Sequence, residues 1–425
     1  MPEFSFPLLF SPVRRAAARR LILGLHINPD ETQIQAAVVE FNTKAQIIAV
    51  KTTPLPFELA SLWRQWSDFT SSEEADRNFP ASVSIMRLAY TELLVQLAEC
   101  ILKENGLSRS DILLVGVLDP GLWFTSRGKT VTMSCFESAI LAQKTGLNIC
   151  DGFAQSDLAC GGQGGPIAAA ALWTLLKSPD KNRLLLELNN SAVKITFIPP
   201  ELRGGLKSVL AFDAAPGIDL INELTRRISY NAQPDDSAGR LAVQGKSIPE
   251  LMVCWKNNAW RKTPPPRWNP AGVRAGRFLI QTLNSAVEKK WNLPDILCTA
   301  TLFIANCISD AVQKHLPGKI EQVYLAGQGK TNGFLLREIR RRIPHVECEL
   351  QAPTIAAEEA LYPASAAVLG NMFINRTAGN LPQVTGCKST QPLGRITPGD
   401  SESYQRLIDV LTQAVNKKAA SGNAA

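Results

Sequence analysis

One pattern occurs twice in this chain, and it constrains the fold more than any other feature. Three short strand-like segments follow one another, and helical segments come after them. The strand-like segments lie at 21–26, 34–41 and 45–51, and again at 183–188, 192–198 and 208–213. Short apolar runs bounded by turn residues are typical of buried strands. Two such meanders, each followed by helices, predict a duplicated α/β fold in which two lobes flank a cleft.

The remaining periodicity completes this prediction. Helices are predicted at 83–104, 137–145, 218–228, 274–289, 299–314, 334–342, 356–371 and 401–417, and further strands at 111–117, 147–151 and 323–326. The proline-rich stretch 263–270 is predicted to be irregular. We assign residues 1–20 to a basic tail, 21–130 plus about 352–399 to lobe I, 131–351 to lobe II, and 400–425 to a C-terminal tail.

Composition excludes several classes of protein. The net charge of +7 is modest and partly due to an arginine cluster in the first 20 residues. We interpret that cluster as a solvated tail, with an anionic partner or an organellar targeting segment as alternatives. No apolar run reaches the roughly 18 residues of a membrane span, so membrane insertion is not expected. Nucleic-acid binding is not expected either. Nine cysteines without a CxxC pair and three histidines argue against a disulfide framework and a zinc or other metal site. A cytoplasmic setting fits best.

A glycine-rich loop is the first candidate for chemistry. Asp157 is followed by Gly161, Gly162 and Gly164, and a helix-forming stretch begins at Ile167. A loop that enters a helix presents free N–H groups to an anion, and a neighbouring aspartate can act as a general base. The alternatives are a plain structural turn and an aspartate that only caps the loop.

Several motifs along the chain match those of one known family. Residues 157–166 resemble "RDxAxGGQGAP", and residues 211–217 (AFDAAPG) resemble "AFDTGPG". The other similar segments are the DxxGxxAxxG spacing at 236–245, DILCTAT at 295–301, LAGQGKTN at 325–332, GNLPQVTG at 379–386 and LGRITPG at 393–399. Together these motifs resemble those of the anhydro-N-acetylmuramic acid kinases, which have an actin-like, ribonuclease H-like fold.

The resemblance implies a function and a set of site residues. The family phosphorylates 1,6-anhydro-N-acetylmuramic acid with ATP and magnesium, and a water molecule opens the anhydro ring. The resemblance makes Asp157 the base for that water and suggests an amino-sugar ligand and a homodimer. The implied nucleotide-binding residues are Gly24, Asn189, Asn190, Gly327, Gly329 and Asn332, and the implied sugar-binding residues are Gly161, Gly162, Gly164, Asp213 and Glu359.

The sequence departs from the family at the predicted phosphate site. Where the family has "GLMSGTSxDGxD", this chain has Gly24 to Gln35, in which Pro29 removes an N–H donor and Asp30 and Glu31 add two negative charges. The family's "NIGGIAN" becomes ELNNSAV at 187–193. Each hydrogen bond to a charged group contributes roughly 1.5–3 kcal/mol, so losing two donors should weaken ATP binding by about a hundredfold or more.

The sugar side departs from the family as well, since "GSHGQTVWH" corresponds to GVLDPGLWF at 116–124. His26 is interpreted as a strand residue without a chemical role. Two functions follow from the sequence: an ATP-dependent amino-sugar kinase, or a non-catalytic relative that uses the cleft for binding or assembly.

Overall fold

The computed structural model describes residues 20–30, 32–68, 79–126, 129–257, 263–268, 276–343, 346–347 and 357–422. The predicted tail lies outside these residues except for Arg20, and so do Glu31 and the end of the proline-rich stretch. The strands are β1 Arg20–Asn28, β2 Gln33–Phe41, β3 Ala45–Pro54, β4 Ile112–Leu118, β5 Leu122–Ser126, β6 Lys129–Met133, β7 Ile149–Asp151, β8 Arg183–Leu188, β9 Ala192–Ile198, β10 Leu210–Pro216, β11 Gln322–Ala326, β12 Val346–Glu347 and β13 Arg395–Thr397.

Two sheets share one topology. The first has six strands in the order β13-β7-β4-β1-β2-β3, and the second has five in the order β10-β9-β8-β11-β12. In each, an antiparallel meander continues into parallel strands through its first strand: β1 pairs with β4, and β8 pairs with β11. This repeated order is the ribonuclease H-like arrangement, and it confirms the predicted duplicated α/β fold with two lobes.

The helices cover the sheets and build the core. They span Phe57–Asp68, Phe79–Glu104, Ser138–Thr145, Phe153–Ala159, Ala169–Leu176, Asp219–Ile228, Pro249–Lys256, Gly276–Lys289, Leu293–His315, Gly333–Arg342, Leu361–Ile374, Pro382–Thr385 and Ser401–Gly422. Leu293–His315 is long and apolar enough to span a membrane, but it is mostly buried. Its apolar side chains belong to the core of the second lobe, which explains its composition.

The helix Leu361–Ile374 packs closely on the first sheet. A Cβ at Gly24 would lie 1.7 Å from the carbonyl oxygen of Pro363, and one at Gly116 would lie 2.2 Å from that of Ala366. Only glycine allows backbones to approach this closely. This packing holds the start of the helix, and with it Tyr362, beside the end of β1.

The structure corrects several predicted elements. Strand β7, placed in lobe II by the boundary at residue 130, pairs with β4 of the first sheet. Asp157, which precedes the glycine-rich loop as described, lies in the short helix Phe153–Ala159, which was not predicted. The helix Phe57–Asp68 and the β5–β6 hairpin were not predicted. The described part of the proline-rich stretch, 263–268, contains no helix or strand, as expected.

Candidate active site

A cavity of about 590 Å³ lies where the turns of the two meanders face each other. The β1–β2 turn contributes Asn28 to Asp30, and the β8–β9 turn contributes Asn189 to Ser191. The turn after β11 and the start of the helix Leu361–Ile374 complete the wall, together with the indole rings of Trp63 and Trp268. Residues from both halves of the duplicated fold therefore surround one space.

The two meander turns are joined directly by hydrogen bonds. Asn190 donates from Nδ2 to the carbonyl oxygen of Asp30 at 3.0 Å, and Ser191 donates from Oγ to Oδ2 of Asp30 at 3.1 Å. Both side chains come from the turn predicted to hold phosphates. Since their donors already serve Asp30, they are not available to an anion in this arrangement.

A second carboxylate takes the donors of the turn after β11. The N–H of Gly327 donates to Oε1 of Glu358, and Lys330 forms an ion pair with Oε2 of the same side chain. Gly327 has φ of 86°, a conformation that favours glycine. Glu358 thus binds both a backbone donor and a cation at the rim of the cavity.

A buried cluster of polar side chains forms the floor of the cavity. Glu187 on β8 lies opposite Lys194 on β9, which in turn lies opposite Asp213 on β10. Tyr362 donates its hydroxyl proton to Oε1 of Glu187, and Lys194 donates to the Tyr362 oxygen at 3.0 Å. The ring of His26 stacks on Tyr362 with centroids 4.9 Å apart.

The charges in this cluster follow from burial and proximity. Desolvation, together with the nearby Lys194 ammonium, lowers the pKa of His26 to about 4, against a hydrogen bond between Nδ1 and the accepting Oε1 of Gln35 that raises it. Burial alone would lower the pKa of Lys194, but Tyr362, Glu187 and Asp213 raise it above its ordinary value. Burial and Glu187 raise the pKa of Tyr362. At neutral pH the cluster therefore holds a neutral imidazole, a protonated phenol and a charged lysine.

The glycine-rich loop forms a separate, internally bonded unit. Asp157 is fully buried. Its Oδ2 accepts from the N–H of Gly164 at 2.8 Å, and its Oδ1 accepts from Thr385 Oγ1 at 2.7 Å and Asn380 Nδ2 at 3.2 Å. A Cβ at Gly162 would lie 2.1 Å from Oδ2 of Asp157, so this glycine leaves room for the carboxylate.

Two tryptophans cover this loop. A Cβ at Gly164 would lie 2.7 Å from the Trp123 ring, and one at Gly165 would lie 2.6 Å from the Trp268 ring. The two indoles contact each other edge to face, with centroids 4.8 Å apart. Trp268 also lines the cavity, while Asp157 and the loop glycines do not line it. The Trp268 indole therefore lies between the glycine-rich loop and the cavity.

The profile of the anhydro-N-acetylmuramic acid kinases matches residues 23–399. That match covers both sheets, both meander turns and the glycine-rich loop. This chain belongs to the anhydro-N-acetylmuramic acid kinase family.

Relatives within this kinase family extend the match. The anhydro-N-acetylmuramic acid kinase of Caldanaerobacter subterraneus subsp. tengcongensis is 24% identical over 402 residues, covering 89% of this chain and 97% of the relative. Its namesake in Bacillus thuringiensis subsp. konkukian is 30% identical over 270 residues, covering 63% and 69%.

Among solved structures, a 2-hydroxyisocaproyl-CoA dehydratase activator from Clostridium difficile with bound ADPNP aligns at a TM-score of 0.36. The identity is 13%, over 82% of this chain and 93% of that one.

The residues predicted from the kinase-family motifs divide into two groups. Asn189, Asn190, Asp213, Gly327 and Glu359 line the cavity. The other predicted residues have packing or capping contacts away from it. Gly24 packs on Pro363, and Gly329 on Ile218 and Leu188, while Asn332 accepts from the N–H of Leu335 and caps a helix. The binding roles of both groups stay predictions.

Sequence reasoning missed the polar floor of the cavity, although a signal was present. Glu187 and Lys194 are charged residues inside mainly apolar strands, at mirrored positions on either side of one turn. Directly opposite residues in an antiparallel pair have neighbouring side chains, so the pair could have been found. His26, interpreted as having no chemical role, lines the cavity. Tyr362 carried no comparable signal.

Proposed function

We propose that this chain is an amino-sugar kinase that binds 1,6-anhydro-N-acetylmuramic acid in the cavity between its lobes and phosphorylates it with ATP. The proposal rests on family membership over residues 23–399, together with a cavity built from both meander turns. Bound ATP would supply the phosphoryl group, and magnesium would neutralise charge on its phosphates. Positioning and charge stabilisation account for most of the catalysis in phosphoryl transfer, so the placement of the protein's own groups decides whether the reaction occurs.

The triphosphate does not fit the closed arrangement of the two turns. The donors of Asn190, Ser191 and Gly327 serve the carboxyl side chains or carbonyl groups of Asp30 and Glu358. Phosphate oxygens would need those donors, and they would be repelled by both carboxylates. Nucleotide binding therefore requires that Asp30 and Glu358 first leave their partners.

Asp157 is the proposed base of the reaction, by its position in the family motif. Its carboxylate already accepts three hydrogen bonds and is fully buried. A carboxylate has about four acceptor sites, so one further donor can bind if the glycine-rich loop and its covering indoles move aside. In the present arrangement Asp157 orients the loop.

The test is to incubate the protein with Mg-ATP and 1,6-anhydro-N-acetylmuramic acid and to measure ADP release. We expect sugar-dependent release that falls about 10²–10⁴-fold in Asp157→Asn, the usual contribution of a general base. No ADP release at millimolar ATP would reject the kinase proposal.

A second function is favoured by one observation, the direct bonding of the two meander turns through Asp30. A chain that fills its own phosphate site can bind the sugar without transferring a phosphoryl group to it. A thermal-shift titration separates the two functions: stabilisation by the sugar without ADP release supports a non-catalytic binding protein. If the sugar neither stabilises the protein nor reacts, both functions are rejected.

A further inference from the structure

The cavity wall contains two buried acceptor atoms without partners. In the part of the chain that the structure describes, Oε2 of Glu187 and Oδ1 of Asn222 accept no hydrogen bond, and both residues line the cavity. Burying an acceptor without a donor costs about 1–3 kcal/mol. Two such acceptors in one cavity indicate that its ligand brings donors.

Glu187 is held so that only one of its oxygens remains for a ligand. The residue is 1% exposed, and Tyr362 occupies its Oε1. Lys194 neutralises the carboxylate across the β-ladder, and its described hydrogen bond to Tyr362 uses one of the three donors of an ammonium. An acceptor and a donor of opposite charge thus lie side by side at the cavity floor.

This arrangement discriminates between ligand groups. A hydroxyl can donate to Oε2 of Glu187 and accept from Lys194 at the same time. A phosphate has no proton to donate when fully ionised, and it would be repelled by Glu187 and by Asp213, which also lies opposite Lys194. A bare divalent cation would face the Lys194 ammonium. A neutral hydroxyl fits the chemistry best.

We propose that Glu187 and Lys194 form a subsite that binds a hydroxyl group of the sugar ligand and excludes phosphate. Tyr362 is a positioning residue that fixes the Glu187 carboxylate. The proposal rests on the proposed sugar binding but not on phosphoryl transfer. It adds a recognition site at positions where the family motif has no carboxylate, since its asparagine is replaced by Glu187.

Calorimetric titration of Glu187→Gln tests the subsite, with 1,6-anhydro-N-acetylmuramic acid and Mg-ATP as separate probes. Loss of a hydrogen bond to a charged group should weaken sugar binding about 10- to 100-fold. Mg-ATP binding should stay equal or become tighter, because a like charge is removed. Lys194→Met should weaken sugar binding as well, and the double variant should lose less than the sum of the two, because one hydroxyl serves both residues.

Glu338→Gln is the matched control, since Glu338 is a buried carboxylate of the same lobe that pairs with arginines and does not line the cavity. Its sugar affinity should equal that of the unchanged protein. Equal sugar affinity in Glu187→Gln would overturn the subsite alone, and weaker Mg-ATP binding there would assign Glu187 to the nucleotide instead. If the unchanged protein binds sugar without ADP release, the kinase proposal falls, and weaker sugar binding in Glu187→Gln still supports the subsite. If it binds no sugar, both are overturned.

Discussion

The glycine-rich loop and the pair of meander turns are both bonded through an aspartate, yet the two regions differ in what those bonds connect. Asp157 bonds to Gly164, Thr385 and Asn380, which lie in segments flanking β7 and β13 of the first sheet. Asp30, on the first sheet, bonds to Asn190 and Ser191 of the second. Asp157 therefore stabilises one lobe, whereas Asp30 joins two lobes.

This difference shows that similarity to the family motif and access to a ligand occur in different regions of the molecule. The glycine-rich loop resembles the family motif closely, but its aspartate is buried and its described hydrogen bonds go to residues of the same lobe. The turns have changed most, but they line the cavity and face any ligand directly. A retained motif can therefore persist for packing, while the replaced residues set which ligand the cavity accepts.

Asp157→Ala should produce the largest effect. It would leave three donors without their buried acceptor, and each bond to a charged group contributes roughly 1.5–3 kcal/mol. We expect a loss of at least about 3 kcal/mol in the free energy of unfolding, measured by urea denaturation. The exposed Asp409 is the control, and Asp409→Ala should change stability by less than about 0.5 kcal/mol. A loss below about 1 kcal/mol in Asp157→Ala would show that the hydrogen bonds of Asp157 do not stabilise its lobe, contrary to the comparison with Asp30.

The cavity floor should respond to acid through His26. Desolvation lowers the pKa of His26 from 6.5 to about 4 in the folded chain. The unfolded chain therefore binds the proton first, and stability is lost as pH falls from about 6.5 to about 4. His26→Gln should remove this loss, about 1–3 kcal/mol between pH 7.5 and pH 4. Thermal unfolding of both proteins across this range measures the difference. Parallel pH curves would show that His26 titrates normally.

Asp30→Ala should produce the smallest energetic change but the clearest functional one. Removing the Asp30 carboxylate frees the Ser191 hydroxyl and deletes a repelling charge, whereas Asn190 keeps its bond to the main-chain carbonyl of residue 30. We expect Mg-ATP to bind about tenfold more tightly, equivalent to about 1.4 kcal/mol, with stability altered by less than about 1 kcal/mol. Asp180→Ala, at an exposed site away from the cavity, should leave nucleotide affinity unchanged. Unaltered affinity in Asp30→Ala would mean that Asp30 does not oppose the phosphates.

Much of the fold could be predicted from periodicity because the meanders are continuous apolar runs. The strands β1 and β2 were predicted to within a few residues of their observed bounds, as were β8 and β9. The β5–β6 hairpin was missed because its strands are only five residues long and β6 has polar residues at half-exposed positions. The helix Phe153–Ala159 was missed because it is short and runs directly into glycines. Neither element has a long enough apolar pattern to be recognised.

By itself, the sequence determined the two lobes, the family and the turns that meet at the cleft, because these depend on local patterns and co-linear motifs. Only the tertiary structure decided that Asp157 is enclosed by its own loop and that Glu187, Lys194, Tyr362 and His26 share one buried cluster. The physical reason is that a hydrogen bond across 175 residues, such as that from Tyr362 to Glu187, leaves no local pattern in the chain.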